Sequence, residues 1–326
     1  MAGGIGLLQL AWLTLLASSV TPAADYPTRP IRLIVPQSPG GTTDYTARLI
    51  GPRLGERMGQ AVVVDNRPGA GSMLGIDLAA KATPDGYTLL LAATTLGIMP
   101  AMMKPILQQL PFDPVQDFAP ITTLAIYPNL IVVHPSLQAA SIKELIALAK
   151  AKPGALNFAS GGAGTGTHLT AELFKSMAAI DIVHVPYKGG GPAMTALLGG
   201  QVQLYFGAIP STLPFVKSGR LRALAVSSAR RSAAAPDVPS MAESGLAGYD
   251  EVTWNGLLAP ARTANAIQQR LYSETTAVLK TAFVREKFAA EGAEAGGLSP
   301  GAFAKLLLTE TVKWAKVIRE AGIKPE

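Results

Sequence analysis

The sequence predicts an α/β protein of two lobes, each with its own sheet, joined by two crossing strands. Three observations predict it. A short apolar strand pattern, a glycine-rich loop and a helical pattern follow one another repeatedly, the mark of a mostly parallel sheet covered by helices. The rhythm starts at residue 31, stops after residue 92 and starts again at residue 129. Of the 326 residues, 48% are hydrophobic and only 15% charged, which suits two cores of moderate size and excludes a disordered chain.

Before any of this comes a leader. Residues 5–20 are largely apolar and uncharged and run into Ala23 and Ala24 just before Asp25, although no Lys or Arg precedes them. The stretch reads as a secretory signal peptide over residues 1–24, shorter than the roughly 20 apolar residues that span a bilayer. It implies export to the periplasm and removes Trp12 from any site. Zero cysteines exclude disulfides, thiolate nucleophiles and Cys-based zinc sites. The net charge of +6 gathers no basic stripe: the pair Arg230-Arg231 stands beside Ser and Ala, so nucleic acid is not an expected partner.

The mature chain opens on a strand at 31–35, a loop at 36–44 and a helix at 43–58 with Ala47, Leu49, Ile50 and Leu54 facing inward. A strand at 61–64, a loop at 66–75, a helix through 82, a turn at Pro84-Asp85-Gly86 and a strand at 88–92 follow. The second lobe has strands at 129–133, 156–159, 182–185, 202–206 and 221–226. Helices at 142–151, capped by Ser141, at 169–177 and at 192–198 lie between them. A strand at 252–258 ends at Pro260, and the tail carries two long helical patterns, 264–281 and 300–321. Returning that tail to the first lobe balances the two halves. Residues 25–124 and 254–326 then form lobe one and 125–253 lobe two, with a hinge of two crossings near 123–128 and 250–255.

Ligands of parallel α/β sheets sit where strand ends turn into helix starts. The loops 36–44, 66–75, 160–168 and 187–192 have that position, and each offers unpaired amides that hold an anion without Arg or Lys. In the first, Gly40, Gly41 and Thr42 are ligand candidates, whereas Asp44 caps and orders the loop or accepts a ligand amine. In the third, no lysine stands between Lys152 and Lys175, so it is no phosphate-binding Walker loop, and Thr167 occupies the third glycine position of the dinucleotide fingerprint. What remains is a cradle of Ser160, Gly164, Thr165, Gly166 and Thr167, with His168 as donor to a ligand oxygen or as support for the loop. His134, His168 and His184 lack metal-ligand spacing, and His184 reads as structural. No G-x-S-x-G elbow occurs. Trp314 reads as core and Trp254 as a cleft residue. Phe206, Tyr187 and Tyr127 are the choices for an apolar wall.

Seven segments, in order and at these spacings, resemble the Bug family of receptors for tripartite tricarboxylate transporters. They are Tyr26-Pro-Thr-Arg-Pro-Ile-Arg-Leu-Ile-Val-Pro36, Gly40-Gly-Thr-Thr-Asp44, Asp65-Asn-Arg-Pro-Gly-Ala-Gly71, Pro84-Asp-Gly-Tyr-Thr-Leu89, His184-Val-Pro-Tyr-Lys-Gly189, Leu221-Arg-Ala-Leu-Ala-Val226 and Gly256-Leu-Leu-Ala-Pro260. The resemblance implies a type 2 periplasmic binding protein fold, a small mono-, di- or tricarboxylate between the lobes, and membrane permease subunits as partners. It adds Gly69, Ala70, Gly71, Thr94 and Thr95 to the pocket walls. Phe206 completes the expected set, with no catalytic residue, metal or cofactor, in a monomer. A sensory receptor, and after it a lobed cytoplasmic enzyme, are the alternatives. Many relatives carry Asp where this chain has Gly207, which implies more room and less negative charge there.

Overall fold

The computed structural model describes residues 26–103, 110–187 and 189–323, so the expected leader lies outside it. In the first lobe β1 (Ile31–Val35) runs parallel between β2 (Val62–Asn66) and β3 (Thr88–Ala93). The two faces of β1 bury different side chains, as strand alternation requires. Leu33 and Val35 join Ala47, Ile50 and Leu54 of α1 (Thr42–Met58), and Ile34 joins Ile76 of α2 (Met73–Ala80) and Leu96 of α3 (Thr95–Met103). Gly59, left-handed at φ 73°, ends α1.

The hinge is built around one strand. β4 (Phe118–Val133) pairs antiparallel with β9 (Val252–Pro260) as far as Pro128, opposite Val252. From Asn129 onward it pairs with β7 (Leu204–Ala208) and with β8 (Arg222–Val226) of the second lobe. The strand path is therefore β2-β1-β3-β9-β4-β7-β5-β6, where β5 (Asn157–Ser160) and β6 (Val183–Pro186) are parallel. The lobes do not have wholly separate sheets, as the sequence had suggested; they share β4. β9, which carries the chain back across the hinge, runs against β3 of the first-lobe sheet, and β4 runs against β9 and against β7 of the second. Register slips beside Pro120, which has no N–H for the ladder, and again before Ala125; such bulges twist a strand out of one sheet toward another.

In the second lobe α4 (Ile142–Ala151), α5 (Gly166–Ala178), α6 (Gly190–Leu198) and α7 (Ile209–Lys217) cover the sheet. Ser141 caps α4 by accepting from the Glu144 amide. The tail forms α8 (Asn265–Leu279) and α9 (Ala282–Ala290), separated at Thr281, whose hydroxyl caps α9. After the short β10 (Glu294–Ala295), α10 (Pro300–Glu320) starts at Ser299 with Pro at its first turn, where no amide is lost. Its 21 residues extend about 30 Å. Phe303 and Leu307 pack on Trp254 and Leu258, while Trp314, Val317 and Ile318 lie in the second-lobe core with Phe158 and Phe206. The tail thus touches both lobes. Trp254, fully buried edge-on against Phe303, belongs to the core and not to the cleft; its Nε1 has no hydrogen-bond partner among the described residues. No described helix is long and apolar enough to cross a membrane.

Candidate functional site

A cavity of about 460 Å³ opens between the lobes over the crossing of β4 and β9. Gly41, Thr42 and Thr43 enter it from the start of α1, and Thr94 and Thr95 from the start of α3. From the second lobe come Thr165, Gly166 and Thr167 at the start of α5 and Gly189 and Gly190 at the start of α6. Four helix N-termini thus point at one space. At α1, α5 and α6 the residues before the first turn, Gly41, Thr165 and Gly189, supply no side-chain cap. The first-turn amides have no acceptor within their own helices and remain available to a guest. Gly189 has φ 105°, a conformation that admits glycine and few other residues.

Side chains of the loops mostly hold the loops. Asp44 Oδ2 accepts from the Gly40 amide and Arg48 Nε, each at 2.9 Å, and Oδ1 accepts from Asn66 Nδ2 at 3.0 Å. The hydrogen bond from Arg48 keeps its carboxyl below the usual carboxylate range, helped by Gly40 and Asn66 and opposed by burial. Of its two expected roles, Asp44 fills the ordering one. Thr165 Oγ1 donates to Gly162 O at 2.7 Å, and Thr167 Oγ1 accepts from the Gly161 amide at 3.0 Å. His168 Nδ1 accepts from the Gly164 amide at 3.0 Å, and its ring stacks on His184 with centroids 3.7 Å apart. His184 Nε2 lies 2.5 Å from Ser160 Oγ. Burial, and next the His168 ring stacked against it, push the His184 ring down to about 4. Neither imidazole lines the cavity: the stacked pair is the floor under the loop.

The structure therefore brings together Gly41, Thr42, Thr94, Thr95, Thr165, Gly166 and Thr167 of the expected set. Gly40, Asp44, Ser160, Gly164 and His168 do not line the cavity: Asp44, Ser160 and His168 are buried beneath the loops, and Gly40 is exposed. Gly69, Ala70 and Gly71 form an exposed turn before α2, away from it. Phe206 is wholly buried against Phe174 and Phe158, on the face of β7 opposite the cavity. Tyr205, its neighbour, faces the cavity, because alternate residues of a strand face opposite ways. Trp314 also reaches the lining, a role the sequence did not suggest. Gln37, Ile98, Asn129, Glu251 and Thr253 were missed as well. Glu251 had a visible signal, an acidic residue at the expected second crossing. Among the described residues, no group of three or more His, Asp or Glu is placed to hold a metal ion.

The profile of the tripartite tricarboxylate transporter family receptor matches residues 46–323. The chain belongs to that family. Protein BugT of Bordetella pertussis is 39% identical to this receptor over 302 residues, 93% of this chain and 92% of that one. The structure of R. palustris Rpa4515 with adipate superposes with a TM-score of 0.76 at 36% identity, covering 93% of this chain and 100% of that one. MatC (Rpa3494) from Rhodopseudomonas palustris with bound malate gives 0.72 at 30% identity, over 90% and 100%. The receptor has the type 2 periplasmic binding protein fold.

Gly207 departs from the expected extra room. A Cβ at that position would collide with the Tyr205 ring and come within 2.7 Å of Thr212 Cγ2. Tyr205 leans along the strand across the bare glycine, and its hydroxyl would lie 3.1 Å from a Cβ on Gly190. The aromatic ring occupies the space that a side chain at 207 would take. Gly207→Ala should therefore cost about 1–3 kcal/mol in denaturant unfolding, by overpacking. In a Tyr205→Ala background most of that cost should vanish, and an unchanged cost in both backgrounds would refute the account.

Proposed function

We propose that this protein is a periplasmic receptor that encloses one small organic carboxylate between its lobes and presents the closed form to membrane permease subunits. It acts as a monomer, without a cofactor and without changing the ligand chemically. The observation that carries the reading is the meeting of four helix N-termini, two from each lobe, in one cavity. Their amide dipoles favour negative charge at those ends. A buried carboxylate is tolerated only where several donors converge on it, and neither lobe alone supplies them all. The cavity volume suits a ligand of small-molecule size. The relatives bound to adipate and malate support the same ligand class.

In this reading the first lobe, 25–124 and 254–326, moves against 125–253 with the end of α10 staying packed in the second-lobe core, bending where β4 changes partners at Pro128 and where β9 begins at Val252. The ligand meets the α1 and α3 starts first, and closure brings up the α5 and α6 starts. Ligand binding selects the closed form because only that form completes the hydrogen bonds.

A thermal-shift screen of the mature protein tests it. Aliphatic and aromatic mono-, di- and tricarboxylates should include at least one that raises the melting temperature by several degrees at a large excess over its Kd. Sugars, nucleotides and free amines should not. Stabilisation by one of those classes, with none by any acid, would overturn the ligand class.

A further inference from the structure

Glu251 stands at the second crossing, 2% exposed, and lines the cavity between the helix starts. Groups from every packed element face it. Asn129 of β4 donates to its Oε2 from Nδ2 at 2.8 Å, and Thr170 of α5 places Oγ1 2.9 Å from the same oxygen. Ser227, just after β8, donates to its backbone carbonyl, and Tyr249 precedes it in a fully buried position. On α10 the charges that bear on it are Lys313 and Glu310, already ion-paired with each other. No ion pair among the described residues includes Glu251, and none of them hydrogen-bonds to Oε1.

The hydroxyl of Thr170 makes the protonation state a matter of counting. Its Oγ1 lies 2.7 Å from Gly166 O, one turn back, as well as 2.9 Å from Glu251 Oε2. One hydroxyl proton serves both acceptors only as a shared, weaker bond to each. If Glu251 is a neutral acid, its O–H donates to Thr170 and the Thr170 proton goes to Gly166, so both short contacts are satisfied. An ionised Glu251 leaves one of these two contacts between two acceptors, or both weakened. Burial acts in the same sense and pushes the carboxyl up to about 7.

We propose that Glu251 enters the binding cycle as a neutral carboxylic acid and donates a hydrogen bond to one carboxylate of the ligand, so that at alkaline pH capture takes up a proton. The proposal rests on the anion reading above and adds a side-chain donor beside the start of α5. Amides at the helix starts hold one carboxylate; Glu251 meets an acceptor oxygen at the other. When the ligand arrives, the Thr170 hydroxyl turns from Gly166 O to Oε2, and the acid proton is presented from Oε1. The proton comes from solvent wherever the free receptor is ionised. A ligand with an ammonium group at that end finds a donor facing it and is rejected.

Calorimetric titration of the mature receptor with adipate, malate and 6-aminohexanoate, at about pH 6.5 and about pH 8.5, tests this. Affinity for whichever dicarboxylate binds should fall roughly twentyfold between the two. In buffers of different ionisation enthalpy, uptake of close to one proton per ligand should be seen at the higher pH. Glu251→Gln, which keeps an acceptor for Asn129 and a donor for the ligand, should bind with no such pH dependence. Wild-type affinity that is flat with pH, or binding without proton uptake, would overturn the assignment without recourse to any variant. A preference for 6-aminohexanoate would show an ionised Glu251 and overturn it too. If neither dicarboxylate binds at either pH while sugars or amines do, the anion reading itself fails, and the role of Glu251 falls with it.

Discussion

Thr42→Pro is expected to weaken ligand binding by tenfold or more while leaving the receptor folded. Thr42 is the first helical residue of α1, where an amide has no acceptor in the helix and proline is well tolerated. The preceding Gly41, at φ −83° and ψ 173°, already has the extended backbone that a following proline demands. The Thr42 carbonyl, which accepts from Thr46 Oγ1 at 2.9 Å, is untouched. The substitution therefore deletes one N–H aimed into the cavity and strains nothing. A hydrogen bond to a charged group contributes about 1.5–3 kcal/mol, a factor of about 10 to 150 in Kd. Because proline also removes the hydroxyl, Thr42→Ala, which keeps the amide, is the control; Thr42→Ser should resemble wild type. Calorimetry with the best acid of the screen should rank serine and alanine above proline, with melting temperatures nearly equal. Equal affinities for alanine and proline would take the α1 amide out of the site.

The part of this site that was legible in the sequence is the part made by backbone. A glycine-rich loop after a strand and before a helix announces free amides whatever its side chains, and loops 36–44, 160–168 and 187–192 all delivered theirs to the cavity. The loop after β2 met the same local criterion, but β2 is the outermost strand of its sheet. Its turn consequently opens away from β9 and the cleft. Strand order, which decides this, depends on pairings between residues far apart in the chain.

Side chains were less legible, for reasons that differ from one to the next. At β7 the pattern Leu204-Tyr-Phe206 fixes two opposite faces but not which one meets the cavity; Tyr205 does, and Phe206 is core. Trp254 is core alone, whereas Trp314, core as expected, also borders the cavity, because α10 runs from one core to the other and passes the cleft between them. Asn129, Thr170 and Glu251 come from three elements, with no spacing to connect them until β4 and the segment before β9 lie side by side. The glycine at 207 has its meaning only once Tyr205 is seen to lie over it.

Glu251→Gln is expected to make the receptor more stable than wild type at neutral and alkaline pH by about 3 kcal/mol, and no more stable at acid pH. An unfolded chain gives Glu251 its ordinary value of 4.5; in the folded receptor, burial first of all holds it at about 7. Below about pH 4.5 the group is protonated in both states and contributes nothing to the pH dependence. As pH rises from there, the unfolded chain ionises freely while the native one resists, so wild-type stability falls until about pH 7 and then levels. Glutamine has no proton to lose, and its amide oxygen can accept from Asn129 in place of Oε2, with the Thr170 hydroxyl turned to it and away from Gly166 O. His184 slopes the other way: held neutral by burial and by His168, it costs stability as pH falls from about 6.5 to 4. Both proteins share that slope, so the difference between their melting curves isolates Glu251. For a chain of this size the gap should open to about 5 °C between pH 4.5 and 7. A constant difference over that range would mean that Glu251 ionises in the folded receptor as readily as in water, and that its place in the cavity serves an anionic carboxylate after all.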